Sequence, residues 1–466
     1  MGVEDMQANE NVVVLMVPFP AQGHLNQLLH LSRLISSYNI PVHYVGTTTH
    51  CRQAKLRVQG WDPLSTDGNM IYFHEFPTPA FQSPPPNPHA SVKFPSHLQP
   101  SFQAALLLRE PVAAVLTKLS PTAKRLVVIH DSIFPSVIQD VASIPNGEAY
   151  SFQSVSTFCI STYFWETLGK PAGINDDIEE KIPSKGTTTT MTPEMRELVD
   201  SQSEYRKYSS GALFNTCRAI EAPFLDVLAK LNAKQWAIGP FNPVELCKSA
   251  TKQRYNYLDW LDNQAPNSVI YVSFGTTTSL TDEQIHAIAV GLENSSQKFI
   301  WVLRDADKGD IFTGDTRVCQ LAEGYEERIK LTGQGIILRG WAPQLEILAH
   351  ESTGGFMSHC GWNSCMESMS MGVPIATWPM HSDQPHNALL VTKVLKMGVV
   401  VKDWAHCNEL VESLTIEKAV KELMASKKGE EIRMRAVELG TSIKKSVGEG
   451  GDTRREFDDF IAHICR

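Results

Sequence analysis

The chain has 466 residues, 42% hydrophobic and 20% charged, which excludes disorder and fibrous repeats and predicts two or three globular domains. Its 42 Lys plus Arg against 51 Asp plus Glu leave a formal net charge of −9, which argues against a cationic nucleic-acid surface. The 9 cysteines include no CxxC pair and point to reduced thiols rather than disulfides or structural zinc.

The acidic opening MGVEDMQANE and the short apolar run behind it do not make a secretory signal. No stretch approaches the roughly 20 apolar residues of a bilayer span, so a soluble cytoplasmic protein without membrane insertion is expected. Val12–Val17 reads as a buried strand, and Leu25, Leu28, Leu31, Leu34 and Ile35 mark one face of the helix behind it. Further strands are expected at 42–45, 71–73, 126–129 and 212–214, then at 269–274, 299–303, 335–338, 355–357, 374–377 and 399–401. Strand-length runs alternating with helical spacing are the mark of βαβ units, and the pattern occurs twice. Two doubly wound α/β domains are therefore predicted, over 1–240 and 255–451, joined by an aperiodic linker at 241–254.

Two segments interrupt the pattern. Residues 77–100 hold 8 prolines and read as a long loop that cannot keep a helix, placed to act as a gate over the cleft. Residues 170–192 read as a solvated insertion. Trp260, Trp301, Trp378 and Trp404 read as packing residues.

In doubly wound sheets, ligands lie at the carboxyl ends of strands. After the first strand, Gly23 suggests a tight turn and His24 the opening of the helix; a lone His there is either structural or a functional base. In the strand order 3-2-1-4-5-6 the first and fourth strands are neighbours, which brings Asp131 within reach of His24. An aspartate holding one imidazole nitrogen makes the other a general base; the alternative is a helix-capping aspartate.

The strongest signal is the 44-residue segment WAPQLEILAHESTGGFMSHCGWNSCMESMSMGVPIATWPMHSDQ, from Trp341 to Gln384. Trp341 offers a face for a base. Residues 358–364 follow a strand and open a helix whose free N–H groups, with His359 and the small Gly361, suit a diphosphate. Glu367 is placed to accept from ribose hydroxyls, and Asp383 and Gln384 to read vicinal hydroxyls. His350, His359, Cys360 and Cys365 do not make a four-ligand zinc set.

This segment resembles the signature box of plant UDP-dependent glycosyltransferases acting on small metabolites. PFPAQGHLNQ near the amino terminus, the His130-Asp131 pair and YVSFGT at 271–276 extend the resemblance over the whole chain. It implies a GT-B fold of two Rossmann-like domains facing each other across a cleft, acceptor on the first and nucleotide sugar on the second. A last helix, within 452–466, would pack back on the first domain. It further implies that Trp341 stacks on uracil, with Ala342 and Gln344 beside it, and that Glu367 holds the ribose. His359, Asn363, Ser364 and Thr276 would hold the diphosphate, while Trp362, Asp383 and Gln384 bind the sugar. His24 becomes the catalytic base and Asp131 its partner, in an inverting transfer that needs no cofactor or metal. The donor implied is UDP-glucose, with UDP-xylose open, and the protein is expected to act as a monomer.

Gln27-Leu28-Leu29-His30-Leu31, the run at 129–132, Tyr150-Ser151-Phe152-Gln153 and Met380-His381-Ser382-Asp383-Gln384-Pro385 are similar to the zeatin O-glycosyltransferases. The acceptor this implies is a cytokinin side-chain hydroxyl, with a flavonoid, other phenolic or terpenoid as alternatives. His381-Ser382 departs from the smaller residues usual before the acidic position. Two other classes stand beside this reading. A nicotinamide dehydrogenase lacks its GxGxxG here; a sequestering binding protein would bind the acceptor without consuming the sugar donor.

Overall fold

The computed structural model describes residues 12–64, 70–91, 93–167, 192–231, 234–246 and 256–466. The amino-terminal decapeptide, the insertion at 170–191 and linker residues 247–254 lie outside them.

Seven strands, β1 (Val12–Val17), β2 (Val42–Thr47), β3 (Ile71–Phe76), β4 (Arg125–Asp131), β5 (Gly147–Gln153), β6 (Ser209–Phe214) and β7 (Gln235–Ala237), form one sheet ordered β3-β2-β1-β4-β5-β6-β7. Six more, β8 (Val269–Ser273), β9 (Lys298–Val302), β10 (Gly335–Leu338), β11 (Thr353–Ser358), β12 (Ile375–Thr377) and β13 (Gly398–Val400), form a second, ordered β10-β9-β8-β11-β12-β13. The pairings are parallel. Helices cover both faces of such sheets, so β1 and β8 are buried at every position, which is why they read as unbroken apolar runs. The order reverses between β1 and β4 and between β8 and β11, and each reversal opens a crevice at the carboxyl edge.

The strands β5 and β7 were not visible as apolar runs. β5 carries Glu148, Ser151 and Gln153, and the last two face a cavity, so its sequence is mixed. β7 is only 3 residues long. The proline-rich loop also departs from expectation at its end, where 96–98 makes a 3₁₀ turn and Gln99–Ala105 a helix. Pro100 sits in that helix's first turn, where no intrahelical N–H is needed.

Five helices matter to the site and its frame: α1 (Gln22–Ser36), α2 (Thr48–Arg57), α3 (Trp362–Met371), α4 (Gln384–Leu389) and α5 (Asp452–Ile464). α5 returns the chain to the first sheet, burying Phe457, Phe460, Ile461 and Ile464 in the core that holds Val14 and Leu28. Trp236 Nε1 donates to Asp459 at 2.9 Å, and the Ala237 N–H to Glu456 at 2.6 Å, so α5 fastens the β7 edge. Trp301 and Trp378 are fully buried. Among the described residues, no helix is long and apolar enough to cross a membrane.

The Phe460 ring lies 5.2 Å from that of Trp236 and 5.6 Å from that of Tyr150. Truncating so buried an aromatic removes its transfer energy and leaves a cavity, so Phe460→Ala should cost about 3–5 kcal/mol. Denaturant unfolding followed by tryptophan fluorescence checks this; an unchanged midpoint would mean that α5 is not part of the first domain's cooperative unit.

Candidate active site

β1 and β4 pair with Val17 opposite His130, so the segment leaving β1 meets the end of β4. His24, the third residue of α1, donates from Nδ1 to Asp131 Oδ2 at 2.6 Å. The other Asp131 oxygen accepts from the Ile133 N–H at 3.2 Å, so this buried carboxylate both orients the imidazole and caps its own loop. The His24 side chain keeps 21% exposure, leaving Nε2 as the nitrogen available to the cavity. Burial pushes the imidazole pKa down, but the charge and hydrogen bond of Asp131, helped by the charge of Asp383, more than offset it and leave the pKa above the ordinary 6.5.

Gly23 makes no turn; it lies inside α1. Its backbone carbonyl accepts from Asn363 Nδ2 at 2.8 Å across the cleft, and an added Cβ would stand 3.6 Å from that nitrogen. That is ordinary contact distance, so the backbone carbonyl and not the missing side chain makes this link.

Opposite the dyad, α3 begins at Trp362 behind Gly361, and no side chain caps it. Its first N–H groups therefore have no intrahelical partner and form an anion site with the positive end of the helix. His359 is wedged between two glycines: a Cβ on Gly275 would lie 2.5 Å, and one on Gly361 2.6 Å, from its Nε2. Gly275 also has φ +77°, a left-handed conformation that favours glycine. Burial holds the His359 pKa at about 4, so it offers a hydrogen bond rather than a charge. His359 Nδ1 and Asn363 Oδ1 are buried without a partner in the described structure, an arrangement that a polar ligand would relieve. Thr276, on the same rim, accepts at its carbonyl from the Asp307 N–H at 2.7 Å.

Farther along, Trp341 is 38% exposed, and the Arg57 guanidinium lies 4.5 Å from its ring centroid, so one face is already taken. Arg57, at the end of α2, also ion-pairs with Asp307 of the second domain. The Ala342 carbonyl accepts from the Gln344 N–H at 2.9 Å and from Gln59 Nε2 at 3.3 Å. Gln344 Nε2 donates to Ser364 Oγ at 3.0 Å and to Glu367 Oε2 at 2.7 Å, tying three of the expected nucleotide contacts into one network. Burial pushes the Glu367 pKa up to about 7, against the pull of the Gln344 hydrogen bond.

Trp362 lines the cavity too, but its indole is buried and Nε1 donates to the Asn215 carbonyl at 2.9 Å, so that N–H serves the domain contact. Asp383, immediately before α4, accepts from Asn387 Nδ2 at 2.6 Å. Burial pushes its pKa up to about 6 despite that bond and the nearby His24. Gln384 lies beside it, buried at the start of α4.

One cavity of about 960 Å³ is lined by His24, Thr276, Trp341, Gln344, His359, Asn363, Glu367, Asp383 and Gln384 together with apolar residues of the first domain such as Phe19 and Phe102. Arg57, Gln59 and Asn215 were not visible as site residues in the sequence, because their partners lie between 147 and 286 positions away and only the docked domains join them. Among the described residues, no group of three or more His, Cys, Asp or Glu side chains is placed to hold a metal ion.

Comparison with known proteins matches residues 10–243 to a family described as glycosyltransferase, N-terminal domain, and 245–441 to one described as UDP-glucoronosyl and UDP-glucosyl transferase. The chain is 55% identical to a zeatin O-glucosyltransferase of Phaseolus lunatus over 98% of its own length and 97% of that protein's. It is 52% identical to a zeatin O-xylosyltransferase of Phaseolus vulgaris, with 98% of each covered. Phytolacca americana UGT2, solved with UDP-2fluoro-glucose and pterostilbene, superposes with a TM-score of 0.74 at 24% identity, covering 97% of this chain and 100% of that one; this likeness is one of fold.

Trp362→Phe keeps most of the ring but orphans the buried Asn215 carbonyl, which should destabilise the protein by about 1–3 kcal/mol. Equilibrium unfolding measures it, and a stability equal to the parent's would contradict the assigned role of the indole N–H.

Proposed function

The chain belongs to the UDP-glucoronosyl and UDP-glucosyl transferase family, and we propose that it transfers glucose from UDP-glucose to the side-chain hydroxyl of a zeatin-type cytokinin. The observation that carries this reading is the His24–Asp131 pair, which shares one cavity with the uncapped start of α3 and the orphaned polar atoms of His359 and Asn363. That arrangement supplies a base on one wall and an anion cradle on the other. The relatives named for zeatin support the acceptor, and Gln384 at the end of the signature segment supports glucose.

In this reading the nucleotide lies along α3, its base against the free face of Trp341 and its ribose hydroxyls on Glu367. Asp383 and Gln384 take the sugar. His24 Nε2 removes the proton from the acceptor hydroxyl as its oxygen attacks the anomeric carbon, and the resulting imidazolium is held by Asp131. The bond from sugar to diphosphate breaks on the opposite side, where the α3 N–H groups and the His359 ring take up the charge left on UDP. A single displacement inverts the anomeric carbon, so an α-linked donor yields a β-glucoside. Both walls of the cavity come from one chain, which supports a monomeric enzyme, and scattered cysteines without a CxxC pair support a reducing, cytoplasmic setting. The similarity to a zeatin O-xylosyltransferase makes UDP-xylose the second donor to test.

Turnover of UDP-glucose and UDP-xylose with trans-zeatin, cis-zeatin, a flavonol and a terpenoid alcohol, read by mass spectrometry, tests the assignment. A glucosylated zeatin is expected; product with the flavonol alone would overturn the acceptor. His24→Ala should lower turnover by about 10²- to 10⁴-fold while leaving UDP binding intact. Because the His24 pKa lies above 6.5 and the base must be neutral, kcat/KM for the acceptor, measured at saturating UDP-glucose, should fall with acid on a limb above pH 6.5. Asp131→Asn removes the main upward influence, so that limb should move to lower pH as the rate drops; a limb that stays in place would contradict the dyad.

Glu367 gives a separate test on binding. The ionised carboxylate accepts on both oxygens while the protonated form turns one of them into a donor, and burial holds the Glu367 pKa at about 7 in the free protein. Affinity for UDP-glucose should therefore rise with pH up to about 7 and level off above it, and Glu367→Gln should flatten that rise between about pH 6 and 8. Calorimetric titration across that range checks it, and a pH-independent parent would remove Glu367 from the ribose site.

A further inference from the structure

Four groups of the cleft meet on the His381 ring. The side chain is buried at 5% exposure. Nδ1 lies 2.7 Å from Ser382 Oγ, and Nε2 lies 3.0 Å from Thr277 Oγ1 and 3.3 Å from Gln384 Nε2. The edge of Phe94, from the proline-rich loop of the first domain, stands 5.8 Å from it, ring centroid to ring centroid.

The hydrogen-bond directions leave little choice. Gln384 Oε1 accepts from the Met380 N–H at 2.9 Å and the His381 N–H at 3.1 Å. Backbone N–H groups only donate, so the amide oxygen must face them and the NH₂ must face the ring. An NH₂ beside a ring nitrogen is favourable only when that nitrogen is an acceptor, so His381 Nε2 is unprotonated. Thr277 then shares the single lone pair of that nitrogen with Gln384 in a three-centre bond, and the ring proton sits on Nδ1 and is given to Ser382. Burial holds the His381 pKa at about 3, so this neutral form persists at any working pH.

A consequence follows for Gln384. Both lone pairs of its oxygen serve its own loop and one of its two amide hydrogens serves the ring, so it can offer a ligand only the remaining N–H. Asp383 next to it, when ionised, can only accept. The two side chains thus form an ordered acceptor and donor pair that reads adjacent hydroxyls in one sense.

We propose that His381 is a positioning residue for the donor sugar: with the Gln384 oxygen held by two backbone N–H groups, its Nε2 takes one amide hydrogen and so steadies the other, which meets the sugar hydroxyl. The proposal rests on the sugar-transfer reading only for the identity of the ligand. Its test is binding, which needs no acceptor.

The quantity to measure is the ratio of dissociation constants for UDP and UDP-glucose, by calorimetry, in three variants of the full chain. Phenylalanine keeps the ring and loses both nitrogens. Asparagine carries its amide at the depth of Nδ1 and does not reach Gln384, whereas glutamine can place a carbonyl oxygen near the position of Nε2. His381→Phe and His381→Asn should each weaken UDP-glucose by about tenfold, the scale of one misdirected hydrogen bond, with UDP itself within about twofold of the parent. His381→Gln should restore UDP-glucose to within about threefold. Once turnover is measurable, the loss should appear in the KM for the donor more than in kcat.

Phe and Asn variants that bind UDP-glucose like the parent would overturn the proposal. So would a glutamine variant as weak as the other two, or equal losses for UDP and UDP-glucose, since those mark a merely structural ring. If one variant fails to fold, the other still provides the contrast with glutamine. A parent that binds UDP-glucose yet transfers it to no acceptor defeats the functional reading and leaves this comparison standing.

Discussion

The hydrogen bond from His24 to Asp131 joins residues 107 positions apart, and its existence depends on β1 and β4 lying side by side in a parallel sheet. That adjacency is a property of the doubly wound order, in which the chain turns back at the first strand and opens a crevice at the carboxyl edge. Asp131 is fully buried and His24 is not. The carboxylate is thus held where water cannot compete, while the imidazole keeps one nitrogen in the cavity. Placing a buried charge there demands a partner, and the imidazole is that partner.

The second sheet repeats the same geometry with different chemistry. Its reversal between β8 and β11 puts Gly275 and His359 beside the start of α3, where backbone N–H groups are left uncapped. Neither half is sufficient alone: the base belongs to one sheet and the cradle to the other. The docking is correspondingly polar and specific. Asn363 reaches the Gly23 carbonyl, the Trp362 indole reaches Asn215, and Arg57 pairs with Asp307 while covering one face of Trp341. Several residues that a linear motif would assign wholly to the ligand are therefore shared with the domain contact.

Much of this was legible in the sequence, for a physical reason. Parallel strands buried on both faces are largely apolar, so β1 and β8 announce themselves, and the strand order then brings Asp131 to His24. Where a strand edge faces the cavity the signal fades, as in β5 with Ser151 and Gln153. Gly23 shows the limit of reading one residue at a time: a glycine behind a strand suggests a turn, but it lies inside α1, where its backbone carbonyl receives Asn363, 340 positions away. Trp362 shows the same limit, since nothing local reveals that its N–H is directed to Asn215. His381 did stand out, as a large polar residue before Asp383, but its meaning lies in the direction of the Gln384 amide, which no linear motif expresses.

The central claim is a single displacement across the cleft, with the base on one sheet and the leaving diphosphate on the other. Proton NMR of the product formed from UDP-α-glucose and trans-zeatin tests it most directly, because the anomeric coupling reports the stereochemistry and the shifted side-chain methylene reports the site of attachment. The account predicts a β-glucoside on the side-chain oxygen. An α-glucoside, or a β-glucoside attached to a ring nitrogen, would contradict it.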